Sequence, residues 1–500
     1  SVQEQAVKRF PNNVESRTVH SLAYKAVGYK FRRKMASSLR VNNIMDNLDE
    51  KSANFLHAKR VIDTLTNFIC SYDDRLSSEH VPYRDITTAE SEGDRNKLEF
   101  FNSDKYIKIV VGDSKEIWNR MSDPENTDVR ITHDVYLKLY QLSKPVIRNF
   151  DCILVDEAQD CTPAVADILL SQPLAKILVG DPHQQIYGFR GATNAMARVE
   201  ATHVYYLTQS FRFGSEIASV ASSLLDILKG VRNKSIVGVS KPGGFHGDHV
   251  GQIAVICRTN FALFNNAVLT CTRNNKTRIG FAGGIQGYNL DRILDIHKLY
   301  SGIVDRGEIK DKFIQRFRSF AELKKYACKA PDPELIGKIK IVETHNIQIP
   351  MHIERIKKQY CSDVDQAEIV FSTAHKSKGL EFDTVRLGED FLLDCSVEEL
   401  ENAPNDEKNL LYVAVTRAKH RLQCSTLLYH ILSLKTDLLL AWESLQSVEN
   451  IESKYCAECK RSCGFTETES FIAMKRAQVS LGTAQKMDGG FQCCRCVVSC

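Results

Sequence analysis

Five hundred residues exceed what one hydrophobic core usually organises, so two to four domains are expected, and a hydrophobic share of 43% is enough to build them. The formal charge, 66 − 62 = +4, is close to balance; it neither requires nor excludes a nucleic-acid partner, because local patches matter more than the sum. No apolar run approaches the roughly 18 residues that span a bilayer, and no secretory signal opens the chain, so no membrane partner and no secreted destination are expected.

Taken in chain order, the sequence starts at Ser1 within a helical pattern and reads as polar and mostly helical from about 30 to 148. Short apolar runs bounded by Gly, Asp or Thr then recur: Cys152–Val155, Ile177–Val179, Val204–Leu207, Ile253–Ile256 and Ile369–Phe371. Each has the length of a buried strand. Helical patterns such as Pro163–Leu170 and Ser215–Leu228 lie between them. Alternating strand and helix predicts parallel α/β sheets with ligands at the C-terminal ends of the strands. The segment 231–250, rich in Gly, Lys and Ser, reads as a surface loop. Residues from about 300 to 365, with Lys310, Lys312, Lys357 and Lys358, form a second charged helical stretch that interrupts the α/β rhythm.

The chemistry is concentrated at two strand ends. Cys152–Val155 runs into Asp156 and Glu157. In a phosphate-handling site the first carboxylate can hold Mg²⁺ and the second can orient and deprotonate a water; the bland alternative is an acidic helix start. About 20 residues on, a second strand ends in Gly180 and Asp181, followed by Gln184, Tyr187, Phe189 and Arg190. A carboxamide there can touch a γ-phosphate and its attacking water. Exposed aromatics followed by Arg can stack bases and hold the phosphates of a single strand, whereas core packing is the ordinary use of two such rings.

Together these two segments resemble motifs II and III of superfamily 1 helicases of the UvrD/Rep type. Further matches follow in order: Thr18-Val-His20 near the start, Gln209-Ser-Phe211-Arg212, Thr373-Ala-His375 through Gly379-Leu-Glu381, and Tyr412-Val-Ala-Val-Thr416-Arg417. The segments at Asp160–Pro163, Asp181–Gln184 and Ala414–Lys419 look like the F-box DNA helicase branch. The resemblance implies two RecA-like lobes: the first over 1–30 and 149–205 around a helical insertion at 31–148, the second over 206–300 and 366–430 around an insertion at 301–365, with a tail at 431–500. It implies ATP and Mg²⁺ as cofactors. Asp156 would serve Mg²⁺, Glu157 would be the catalytic base, Gln184 the γ-phosphate sensor, Arg212 and Arg417 the charge-stabilising arginines, and Glu381 the ribose contact. Thr18, His20, Tyr187, Phe189, Arg190, Thr373 and His375 would face DNA. ATP binding would close the lobes and hydrolysis reopen them, each cycle being a step along one strand, 3′→5′ by resemblance. The partners implied are single-stranded and branched or forked DNA, a recombinase filament, and ubiquitin-ligase components. The implied setting is nuclear DNA repair, recombination control or replication-fork processing.

A phosphate-binding loop with Gly-Lys-Ser/Thr is not among these residues, and residues 1–10 look like the tail of motif Ia. The expectation is that the loop lies upstream and that this segment alone hydrolyses ATP poorly. A DNA-binding scaffold without a motor is therefore the alternative, and a helicase–nuclease fusion ranks below both. Nine of the 16 cysteines are scattered and seven crowd into the last 45 residues. Cys456 and Cys459, then Cys493 and Cys496, form two thiolate pairs separated by 33 residues, each a natural half of a tetrahedral Zn²⁺ site. Cys463, Cys494 and Cys500 are spare candidates, and an iron–sulfur cluster or a reduced, metal-free tail are the other readings.

Overall fold

The computed structural model describes residues 9–50, 52–83, 96, 99–231, 236–239, 251–302, 306–329, 332–392, 400 and 402–435, with short strand segments between 438 and 492. The contacts divide the chain into two units, 1–204 with 302–336, and 205–301 with 337–500.

In the first unit, helices α1 (Val19–Ala26), α2 (Phe55–Cys70), α3 (Asp104–Ser122) and α4 (His133–Leu142) precede a parallel pair of strands, β1 (Cys152–Val155) and β2 (Ala175–Leu178), joined through α5 (Pro163–Leu170). Asn54 starts α2 by accepting from the His57 N–H, and Ser103 starts α3 by accepting from the Tyr106 N–H, as N-cap residues do. Their C-terminal ends are served by two buried lysines. Lys138 Nζ donates to the carbonyls of Ser71 and Asp73 at 2.8 and 2.6 Å, and Lys34 Nζ to those of Arg120 and Asp123 at 2.8 and 3.0 Å. A cation satisfies orphan carbonyls and complements the helix dipole. Burial lowers both amines to about 8, against the pull of Asp73 on Lys138 and of Asp123 on Lys34.

The second unit is built on an all-parallel five-stranded sheet. Its strands are β5 (Ile253–Cys257), β6 (Ile279–Phe281), β7 (Ile369–Thr373), β8 (Phe382–Leu387) and β9 (Ala418–Gln423), in the order β6-β7-β5-β8-β9. Every residue of β5 is buried, the continuous apolar run expected of a central strand covered on both faces. Just beyond its end, Asp390 accepts from the N–H groups of Arg258 and Thr259 at 2.9 and 2.7 Å and from the Thr259 hydroxyl at 2.8 Å. Arg258 grips Glu407 through two bonds of 2.7 and 2.6 Å. Asp390→Ala leaves three half-buried donors without their acceptor, a cost of about 3 kcal/mol. The expected result is a drop of roughly 6–12 °C in the unfolding midpoint by calorimetry, with Asp390→Asn in between; an unchanged midpoint sinks this account.

One expectation is corrected. Residues 204–207 form no strand; their side chains are exposed, and pairing begins only beyond them, where the Val237 N–H donates to the Thr208 carbonyl and β3 (Gln209–Ser210) pairs with β4 (Val237–Gly238). An apolar run is a strand only where a neighbour supplies its hydrogen bonds. Within the stretch 301–365, contacts group 302–336 with the first unit and the residues from 337 on with the second. The cause is aromatic, since Phe55 at the start of α2 stacks on Phe317 at 5.3 Å and meets Phe313 and Tyr326 edge-on at 5.8 and 5.4 Å. Arg316 adds two 2.9 Å bonds to Asp46. The four expected zinc ligands, Cys456, Cys459, Cys493 and Cys496, lie outside the described residues.

Candidate functional site

The acidic pair stands where β1 ends. Glu157 adopts a left-handed backbone, φ 53°, a conformation that costs a residue with a Cβ about 1–2 kcal/mol. This turn is held by the neighbouring strand, for the Val179 N–H donates to the Val155 carbonyl at 2.8 Å and the Ala158 N–H to the Val179 carbonyl at 3.0 Å. Gln159, fully buried, bridges the two strand ends. Its Nε2 donates to the Glu157 carboxylate and its Oε1 accepts from the Asp181 N–H at 3.1 Å. Gly180 makes room for that bridge: a Cβ there would stand 2.3 Å from Gln159 Oε1. Asp181 in turn accepts from Gln184 Nε2 at 3.0 Å. A chain of side-chain and backbone bonds thus links Glu157, Gln159, Asp181 and Gln184, with Asp156 accepting from the Glu157 N–H at 3.0 Å. The roles assigned from sequence went to Asp156, Glu157 and Gln184; the connecting Gln159 and Asp181 were missed. Their signal was a polar pair directly after two apolar runs.

Next to this acidic turn, the segment 187–191 carries an aromatic–cation triplet. The Arg190 guanidinium lies 5.8 Å from the Tyr187 ring and 5.6 Å from the Phe189 ring. Phe189 is 66% exposed and Tyr187 half-buried. Burial, with Asp160 adding, pushes the Tyr187 hydroxyl above its ordinary pKa. His20 Nε2 donates to the Asp134 carboxylate at 2.9 Å and the His20 ring meets the Tyr136 ring edge-on at 6.4 Å. The His20 hydrogen bond holds the Asp134 carboxyl below its usual range against the opposing effect of burial, and the Arg190 charge adds to it. His20 and Arg190 therefore act on one carboxylate, which brings these two expected DNA contacts to the same region. Thr18 has local work: its hydroxyl caps α1, accepting from the Ser21 N–H at 3.1 Å.

In the second unit the expected residues fall at opposite ends of one sheet. Thr373 closes β7 at its C-terminal end, where its hydroxyl caps the short helix Ala374–Ser377 that carries His375. Arg212, Glu381 and Arg417 gather where β8 and β9 begin. Arg212 Nε donates to Glu381 at 2.7 Å and its Nη1 to the Thr416 carbonyl at 3.1 Å. The Phe382 N–H at the head of β8 donates to the Arg417 carbonyl at 3.0 Å. Of these expected site residues, Thr373 therefore stands at a strand C-terminal end and the arginine set does not. Arg417 itself is only 2% exposed. Its Nε donates to the Val413 carbonyl at 2.9 Å and its Nη2 to the Thr416 hydroxyl at 3.1 Å, so the guanidinium caps α12 (Asn405–Val415).

Among the described residues, no three His, Cys, Asp or Glu side chains form a metal-holding group. The hard carboxylate oxygens of Asp156 and Glu157, both exposed, suit Mg²⁺, which takes one or two carboxylates and fills its shell with water and phosphate oxygens. The family profile of the UvrD/REP helicase N-terminal domain matches residues 2–200, and that of the UvrD-like helicase C-terminal domain matches residues 260–429. F-box DNA helicase 1 of Gallus gallus is 38% identical over 98% of this chain and 50% of its own length. F-box DNA helicase protein 1 of Schizosaccharomyces pombe is 29% identical over 84% of this chain and 51% of its own length. The ATP-dependent DNA helicase srs2 of the same yeast is 34% identical over 18% of this chain and 11% of its own length. The chain spans about half the length of the two F-box helicases it matches.

Proposed function

The chain belongs to the UvrD/Rep helicase family and shares likeness with F-box DNA helicases over most of its length, and from that premise we propose that it is the motor of an ATP-driven DNA helicase that moves along single-stranded DNA. The observation that carries the reading is the linked set Glu157–Gln159–Asp181–Gln184 at two parallel strand ends, beside the exposed Phe189 and Arg190. Bound ATP with Mg²⁺ supplies the transferable phosphoryl group. The protein's part is to hold the metal on Asp156, to orient and deprotonate a water at Glu157, and to sense the γ-phosphate with Gln184. Arg212 and Arg417 spread the developing charge, Glu381 meets the ribose, and Thr18, His20, Tyr187, Phe189, Arg190, Thr373 and His375 line the strand.

Movement 3′→5′, nuclear work in repair, recombination control or fork processing, action on recombinase filaments and association with ubiquitin-ligase components belong to the proposal as what the resemblance of the motifs implies. Structural zinc at Cys456, Cys459, Cys493 and Cys496 rests on the two Cys-x₂-Cys pairs alone.

The test is ATP turnover by the whole protein with and without single-stranded DNA. Turnover that rises on adding DNA is expected. Phe189→Ala should weaken single-strand affinity about fivefold or more, the loss of one stacked base. A whole protein that binds DNA and never turns over ATP overturns the motor and leaves a binding scaffold.

A further inference from the structure

From Ser16 to Met45 the chain contains no Asp or Glu and seven Lys or Arg residues, Arg17, Lys25, Lys30, Arg32, Arg33, Lys34 and Arg40. A chain near charge balance overall thus concentrates positive charge in thirty residues. The fold then sorts those cations. Residues Gly28–Lys34 form a 3-10 helix, whose repeat of three residues per turn puts every third side chain on one face. Gly28, Phe31 and Lys34 are buried, and Lys34 is committed to carbonyls at the end of α3. The other face presents Tyr29, Lys30, Arg32 and Arg33, all exposed. Arg130 joins them, its guanidinium donating to the Arg33 carbonyl at 3.2 Å.

An aromatic row leads onto this face. Tyr24 lies one turn beyond His20 on α1, and both rings meet Tyr136 edge-on, at 5.7 and 6.4 Å. Tyr24 is 40% exposed and Tyr29 52%. Gly28 keeps the row tight, since a Cβ there would stand 2.8 Å from Tyr24 and 3.0 Å from Tyr136. Asp134 is paired with His20 and Glu15 with Arg17; Asp123 and Asp128 act on Lys34 at the buried side.

We propose that Tyr24, Lys25, Tyr29, Lys30, Arg32 and Arg33 form a second contact surface for single-stranded nucleic acid, continuing the path from His20. Exposed tyrosines interleaved with cations fit a single strand, whose unstacked bases offer ring faces and whose phosphates carry the charge. A duplex, whose bases stay stacked, would use the cations and leave the tyrosines idle. This rests on the proposed function, and deepens it by lengthening the bound strand.

The experiment titrates the full chain with fluorescent oligothymidylate at several salt concentrations. The variants are a quadruple Lys25→Gln, Lys30→Gln, Arg32→Gln, Arg33→Gln, a single Tyr29→Ala, and Phe189→Ala as reference. The quadruple variant should bind at least tenfold more weakly, with a salt slope shallower by about 2–3, since each phosphate contact on a single strand contributes about 0.7. Tyr29→Ala should weaken binding about fivefold or more without changing the slope. If the quadruple variant keeps wild-type affinity and slope while Phe189→Ala weakens binding, the second surface is overturned and the proposed function stands. If the unaltered chain binds no single strand, the proposed function fails first. Anionic vesicles serve as a competing surface: a quadruple variant that loses vesicles and keeps DNA also overturns the proposal. Should that variant unfold, photo-crosslinking the unaltered chain to a bromouridine-substituted strand decides. Adducts at Tyr24 or Tyr29 support the surface, and adducts confined to 187–190 overturn it.

Discussion

Glu157→Gln should lower DNA-stimulated ATP turnover by the whole protein about 10²–10⁴-fold while leaving nucleotide and DNA binding nearly unchanged. The range is that of a general base removed from a positioned water. The amide keeps the shape of the side chain, and it keeps an oxygen for the Gln159 Nε2 to donate to, so the turn at the end of β1 has no cause to change. What it loses is the ability to take a proton. The geometry also forecasts how a neighbour behaves. Gln159 touches Glu157 with one end of its amide and the Asp181 N–H with the other, so Gln159→Leu should disturb orientation rather than proton transfer. Single-turnover measurements separate the two. Glu157→Gln should bind ATP and stall, whereas Gln159→Leu should slow turnover and also lower the stability of the first unit, because a buried N–H is left unsatisfied. If Glu157→Gln turns over at the wild-type rate, Glu157 is no base and the acidic turn is a structural helix start.

How much of this was legible in the sequence depends on which forces decide each element. β5 was readable because a five-residue apolar run rich in β-branched residues, bounded by Gly-Gln and Arg-Thr, has the length and composition of a buried strand. Helices Pro163–Leu170 and Ser215–Lys229 were readable for the same kind of reason, with local caps and periodicity acting within one element. Residues 204–207 failed because strand formation depends on a partner, and the partner at 237–238 pairs two residues further along. The stack of Phe317 on Phe55, some 260 positions away, was not legible, because no local pattern announces so distant an aromatic partner. At the site, residue types announced themselves: two carboxylates after a strand, two aromatics and an arginine after another. Their couplings did not. That Thr18 spends its hydroxyl on a helix cap, or that Gln159 spans two strand ends, depends on directions that spacing alone does not carry.

The two arginines of the second unit should separate cleanly by experiment. Arg212 is partly exposed and bonded to Glu381 and the Thr416 carbonyl. Pairs of that kind contribute at most about 1 kcal/mol to stability, so Arg212→Ala should move the unfolding midpoint by no more than about 4 °C. Its cost should appear in turnover instead. An arginine that stabilises the transferred phosphoryl group is worth about 10³–10⁵ in rate, because a guanidinium keeps its charge and its fork matches phosphate oxygens. Arg417 is the reverse case in this conformation: buried, with bonds to the Val413 carbonyl, the Thr416 hydroxyl and, at 3.4 Å, the Leu380 carbonyl. Arg417→Ala empties a packed site and strips acceptors at the end of α12, so a loss of about 2–4 kcal/mol is expected, read as a lowered midpoint. If Arg417 also stabilises charge on a phosphoryl group, it must leave those carbonyls to do so, and the structural bonds compete with the catalytic one. Arg417→Lys discriminates between the roles. Lysine can reach a carbonyl and recover part of the stability, but it cannot reproduce the fork, so the midpoint should return further than the turnover. Recovery of turnover with stability still lost would mean that the buried geometry of Arg417 is incidental to its work, and that Arg212 and Arg417 act alike.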